Sequence, residues 1–122
     1  MGFLGFESQK EKEEKLKREQ ERLDQERLEK EREEAIRKVP IYFTHAVDFD
    51  YSIVFGEAYA WCRYHDFEEA FETSYKILKE SAINHNGDAI IDVKINISYA
   101  PRVNNGPPGY VVVMTGVVVR YI

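Results

Sequence analysis

Gly87-Asp88-Ala89-Ile90-Ile91-Asp92-Val93 is the stretch whose reading decides the fold. Before it, apolar side chains recur at three- and four-residue spacing. After it, they recur at every second position. A glycine at such a changeover stops a helix and lets a strand begin. The helix opens at Asp66, an N-cap residue with Glu69 three positions on, the spacing of a capping box. Phe67, Ala70, Phe71, Ser74, Leu78 and Ala82 form its core-facing stripe. Asn86-Gly87 supplies the left-handed C-cap.

Downstream, the strand from Ala89 to Tyr99 alternates. Ala89, Ile91, Val93, Ile95, Ile97 and Tyr99 are expected to face inward, and Asp92, Lys94, Asn96 and Ser98 outward. Ala100 to Gly109 is rich in Asn, Gly and Pro and reads as a loop. It leads into a strand from Tyr110 to Ile122, which predicts a long antiparallel hairpin. Upstream of the helix, Ile41 to Thr44 is a short β-prone piece after Pro40, and Asp48 to Ser52 reads as a turn. A strand from Ile53 to Arg63 follows. One of its faces is small (Gly56, Ala58, Ala60, Cys62), and the other carries Ile53, Phe55, Glu57, Tyr59 and Trp61. The expected fold is α+β: a small β-β-α-β-β domain, residues 39–122, with one helix packed on an antiparallel or mixed sheet.

The last strand is apolar on both faces from Val111 to Val119, apart from Thr115 and Gly116. One helix cannot cover both faces of a sheet. Another subunit is therefore the expected cover for part of this strand, with Val111, Val113, Val117, Val119 and Tyr121 as interface candidates. The competing expectation is cover from the chain's own first strand and loop.

Ahead of this domain lies a charged segment. Residues 7–38 hold 12 acidic and 11 basic side chains and no Gly or Pro. Good helix formers dominate it. Glu precedes a base by four residues at Glu11/Lys15, Glu13/Lys17, Glu14/Arg18, Glu26/Lys30, Glu33/Arg37 and Glu34/Lys38. Each such pair is worth about 0.2–0.5 kcal/mol. Pro40 ends the helix. Its apolar residues, Leu16, Leu23, Leu28, Ala35 and Ile36, make two heptad steps that are out of phase. That leaves either a solvated single helix or a short, irregular coiled coil. Phe3, Leu4 and Phe6 (residues 1–6) form an apolar hook. It reads as a frayed end, a partner-docking peptide or a weak membrane contact.

Composition excludes several classes. The formal net charge is −5, and the bases are interleaved with acids, unlike a phosphate-binding surface, so no nucleic-acid partner is expected. The single Cys62 cannot form an intramolecular disulfide and suits a reducing compartment, so a cytoplasmic location is expected. No apolar run is long enough to span a bilayer. The first six residues match neither a signal peptide nor a myristoylation pattern.

Chemistry-bearing residues are sparse. Cys62 and His65 stand at C-x-x-H spacing, suited to zinc or copper, but no second Cys/His cluster completes a site. His45 with Asp48 and Asp50 sits in a turn, where Asp is favoured by local backbone bonding. His85 suits a helix C-terminus, and Glu68, Glu69 and Glu72 suit a solvated first turn. No catalytic set, cofactor site or resident metal is expected from these residues.

From about Ile53 to the end, the chain resembles the YbjQ-type family, which carries a heavy-metal-binding label. The matching marks are Gly56 in the first long strand, the helix with its Ala and Leu positions, Gly87 to Val93, and Thr115-Gly116-Val117-Val118-Val119. Two departures stand out. Only Tyr64-His65 separates the first long strand from the helix, where the family has a longer glycine-containing segment. Asn86-Gly87 stands where the family tends to have Gly-Ala. The resemblance implies an α+β domain that assembles into a ring, a pentamer, with no established enzymatic activity. A fainter likeness to the dodecins, small flavin-storing oligomers, rests on Trp61 alone. The functional expectation is a ring-forming, non-enzymatic scaffold that presents its N-terminal helices to a protein partner. The alternative is an oligomer that binds metal or a small ligand.

Overall fold

The computed structural model describes residues 2–101 and 108–122, with side chains described from residue 9 onward. The chain divides into two compact units, Met1–Glu34 and Ala35–Ile122.

The first unit is helical throughout its described length. Helix α1 runs Gly2–Arg37, so the six-residue hook is not a separate element. The side chains of Phe3, Leu4 and Phe6 lie outside the described residues. Leu16, Leu23 and Leu28 are exposed, each surrounded by charged residues. Asp24 and Arg27 approach to 4.0 Å as an exposed pair, a contact of little energetic weight.

The second unit starts before the proline. Ile36 and Val39 are buried, and Val39 N–H donates to Ile36 O. After residues 40–50 come β1 (Tyr51–Tyr64), α2 (Phe67–Asn84), β2 (Ala89–Ala100) and β3 (Gly109–Tyr121). The sheet order is β1-β3-β2, antiparallel throughout. The expected first strand is reduced to one parallel bridge, Ile41 to Ile90. Even so, this segment is firmly attached. Pro40 O and Tyr42 O accept from Ile90 N–H and Val93 N–H, Tyr42 N–H donates to Ile90 O, and Asp92 N–H donates to Thr44 O.

Helix α2 begins where the sequence places it. Asp66 Oδ1 accepts from Glu68 N–H at 3.2 Å, the second helical residue rather than the third. Ala70, Ser74, Leu78 and Ala82 are its buried stripe, at four-residue steps. Three of these are small, and they meet the small face of β1, where Ala58 and Ala60 are buried. Small residues on both sides let helix and strand approach closely. Ser74 Oγ, fully enclosed, donates to Val112 O at 3.1 Å.

The helix C-terminus corrects one expectation. Asn86, not Gly87, takes the left-handed conformation, with φ of 55°. Asn86 N–H donates to Ile83 O and Gly87 N–H to Ala82 O, the paired bonds of a Schellman end. Gly87 is glycine for a different reason: a Cβ there would collide with Val118 Cγ1 and crowd Val119 O.

The alternation expected for β2 does not hold. Asp92 has φ of 50°, and the register slips between Ile91 and Lys94, so two residues oppose one on β3. This β-bulge reverses the parity of the strand. Ile90 falls on the α2 side with Val93, Met114 and Val118, while Ala89 and Ile91 join Val119 in a second cluster. Ile90 is 0% exposed and Ile97 is 47% exposed. β1 slips twice, between Ile53 and Phe55 and between Phe55 and Ala58. The slip takes Phe55 off the face assigned to it, to stack on the His85 ring at 4.1 Å. Gly56 falls within the second slip, and a Cβ there would meet nothing.

Candidate functional site

The sheet has one face under α2. Among the described residues of this unit, the other face is covered at one end only. There Tyr42, Val47, Phe49, Tyr51 and Val117 pack on Ala89, Ile91 and Val119. Phe49 binds this cover together, with ring centroids 5.4 Å from Tyr42, 6.0 Å from Tyr51 and 4.9 Å from Tyr121. This corrects the interface expectation for one residue. Val119 is fully enclosed by its own chain and has no surface left for another subunit. The expected internal cover exists at this end. Tyr121 stays 45% exposed, with its backbone N–H donating to Asp88 Oδ2 at 2.8 Å. Burial and the neighbouring Tyr42 and Asp88 push its phenol above the usual tyrosine range. Arg120 locks the same corner by donating twice to Asn86 O, at 3.0 and 2.9 Å.

Away from this end the described residues of this unit leave the face open. Val111 and Val113 are half-buried, and beside them Tyr59 and Trp61 are 57% and 56% exposed. The sheet edges are open too. β1 pairs only with β3, so all 14 of its residues present one unpaired edge among the described residues. Residues 40–44 cover only the first part of the outer edge of β2. From Lys94 to Ala100 that edge has no partner among the described residues.

On the α2 side, the helix lies over β1 and β3 and barely reaches β2. Ile97 and Tyr99 are therefore exposed at the margin of an aromatic row. Tyr99 packs on Tyr110 at 5.2 Å, Tyr110 on Phe67 at 5.6 Å, and Phe71 on Tyr75 at 5.9 Å. Lys79 stands over the Tyr75 ring at 4.4 Å and donates to Arg37 O at 3.0 Å. Desolvation holds its pKa below the usual lysine range.

The metal candidates are not gathered. Cys62 is a half-buried free thiol opposite Val112, and His65 is exposed beyond the end of β1. Among the described residues, no three His, Cys, Asp or Glu side chains come together as a ligand set. His45, Asp48 and Asp50 lie in the segment that carries the Phe49 cover. His85 serves the helix end, with its Nδ1–H donating to Ser81 O at 2.7 Å. Glu68, Glu69 and Glu72 are exposed.

Sequence reading missed one feature. On the open face, Tyr59 of β1, Thr115 of β3 and Lys94 of β2 stand directly opposite one another in a row. Beside this row the slips of β1 and β2 flank Gly116 and Val117. A depression of ≈ 490 Å³ forms there, lined by Glu57, Tyr59, Asp92, Lys94, Thr115 and Val117 over Gly56, Ala58 and Gly116. Period-two reading puts Asp92 on the outer face but gives no sign that both strands bulge at the same level.

No family model matches the sequence, and no curated protein matches it. Among solved structures, the chain is similar to a crystal structure from Pediococcus pentosaceus of a protein of unknown function, described as belonging to the DUF74 family. The two are 25% identical with a TM-score of 0.55, over 69% of this chain and 98% of that one. The chain thus has the fold of a small α+β domain preceded by a long helix. No helix among its described residues is long and apolar enough to cross a membrane.

Proposed function

We propose that residues 35–122 form a homo-oligomeric assembly domain, without catalytic activity, that presents α1 to a protein partner in the cytoplasm. The observation that carries this reading is the pair of open edges on opposite sides of one sheet. A long edge strand is a template for another chain, and proteins usually blunt it with charge, proline or a cover. β1 has only Glu57 and Arg63 as charged residues along its 14 positions, and it exposes Ile53, Tyr59 and Trp61. β2 exposes Ile97 and Tyr99 beside its own open half. Two different edges meeting between copies make a head-to-tail contact, which generates a ring when the rotation closes. A pentamer is the size suggested by the YbjQ-type resemblance. Charged α1 and the residues Phe3, Leu4 and Phe6 supply the partner-binding part, with at most a weak membrane contact.

Native mass spectrometry of the full chain, purified without chelator, tests this. A single closed oligomer without added mass is the expected result. A monomer at high protein concentration refutes the reading. Stoichiometric zinc or copper mass that disappears in Cys62→Ser would transfer the function to the metal-binding alternative.

A further inference from the structure

The depression on the open face has a charge pattern that a surface of scattered charges lacks. Its centre is the row Tyr59–Thr115–Lys94, fixed by the pairing of β1 and β2 on β3. A phenol, a hydroxyl and an ammonium thus stand side by side, with strands about 4.8 Å apart. Next to it, on the two outer strands, Glu57 lies in the β1 bulge beside Val117 and Asp92 in the β2 bulge beside Gly116. Their backbones are therefore separated by the two inter-strand gaps that flank β3, about 10 Å. A small molecule can lie between the two strands, with both side chains at its rim. The floor is Gly56, Ala58 and Gly116, so a ligand would approach the backbone. Gly116 is held free of a side chain from the far side of the sheet, where a Cβ would meet Ile90 Cγ2 at 2.6 Å. Among the described residues, Glu57, Asp92 and Lys94 make no ion pair with one another or with any neighbour. Their charges are available to a third party.

We infer that this depression binds a zwitterion of amino-acid size. The ligand's carboxylate lies on Lys94 Nζ and the Thr115 hydroxyl, and its ammonium lies toward Glu57 and Asp92. The Tyr59 ring and Val117 supply an apolar wall for an aliphatic side chain. The volume falls in the range of small-molecule sites. One cationic and two anionic groups at adjacent levels favour a ligand that carries both charges close together. A simple anion or a simple cation would satisfy half of the site and meet repulsion or nothing from the rest. Glu57 and Tyr59 belong to both this depression and the β1 strand invoked for assembly, so the native mass is read on the same sample: saturable shifts in a monomer support the site alone, and a closed oligomer without shifts supports assembly alone.

The test is a chemical-shift titration of the full chain with L-valine, and in parallel with N-acetyl-L-valine (anion only) and L-valinamide (cation only). Saturable shifts at Tyr59, Lys94 and Thr115 are expected with L-valine. Each single-charge analogue should bind at least about tenfold more weakly, the cost of roughly one charge contact. Lys94→Gln should weaken L-valine about tenfold, and so should the double change Glu57→Gln with Asp92→Asn. The melting temperatures of both variants should stay unchanged, because these side chains are on the surface and Asn tolerates the left-handed backbone. Absence of saturable shifts up to about 10 mM overturns the inference. So does equal binding of the three probes, or undiminished binding by both variants.

Discussion

Truncating Ile90 and Ile97 separately, each to alanine, tests the parity reversal in β2. Strict alternation from Ala89 puts Ile97 in the core and Ile90 outside. The bulge at Asp92 puts Ile90 on the α2 side together with Ile97, and Ile97 is exposed there because α2 barely reaches β2. Ile90 is fully enclosed, and its backbone is held by Pro40 O and Tyr42 N–H. The site therefore has little freedom to collapse after truncation. Ile90→Ala should cost about 3–4 kcal/mol, within the range for buried isoleucine. For a domain of this size that lowers Tm by more than about 12 °C. Ile97 is 47% exposed. Removing its three carbons forfeits only about half of a transfer term of roughly 2.4 kcal/mol, or about 1.2 kcal/mol. No sealed cavity is left behind. Urea unfolding followed by far-UV circular dichroism, at one fixed protein concentration, reads both values. An Ile97→Ala loss equal to or larger than that of Ile90→Ala would refute the placement of Ile90 in the core and of Ile97 at its uncovered margin.

Other changes test other joints of the fold. Gly116→Ala should cost about 1–3 kcal/mol by crowding Ile90 Cγ2, and less in an Ile90→Ala background, which a double-mutant cycle would measure. Asp92→Asn should leave stability within about 1 kcal/mol, whereas Asp92→Val should cost about 1–3 kcal/mol at φ of 50°, by thermal melting. Ser74→Ala removes a buried hydrogen bond to Val112 O and should cost about 1 kcal/mol in urea unfolding. The raised pKa of Tyr121 means that the folded state keeps this proton longer than the unfolded state does. Its contribution to stability is therefore fully present below the ordinary tyrosine pKa and is lost as pH rises through the folded value. Titration at 295 nm should show a late phenol that vanishes in Tyr121→Phe.

The chain's local grammar fixes much of the architecture. Asp66 caps α2, the Gly- and Pro-free run with its Glu-to-base pairs makes α1, and the turn-rich segment after Ala100 separates the two strands of a hairpin. Ala58, Ala60, Ala70, Ser74 and Ala82 forecast a close helix–strand contact because small residues recur with the right period on both elements. These features depend on neighbours a few residues away, so periodicity and caps report them. The bulges do not. Whether Asp92 is an ordinary outward residue or a left-handed one depends on Gly116 across the ladder and on Thr44 O beyond the strand's other edge. No local pattern contains those partners. The same holds for Val119, whose cover comes from Phe49 and its aromatic neighbours some seventy residues earlier. The row Tyr59–Thr115–Lys94 likewise exists only because three strands distant in sequence are paired in one register. Sequence by itself determined the two helices, the three long strands and the small face of β1, but not that the piece after Pro40 pairs through a single bridge. Tertiary pairing alone decided which side of the sheet each half of β2 faces, which edges stay open, and where charges converge, because a register shift of one residue moves every later side chain to the opposite face.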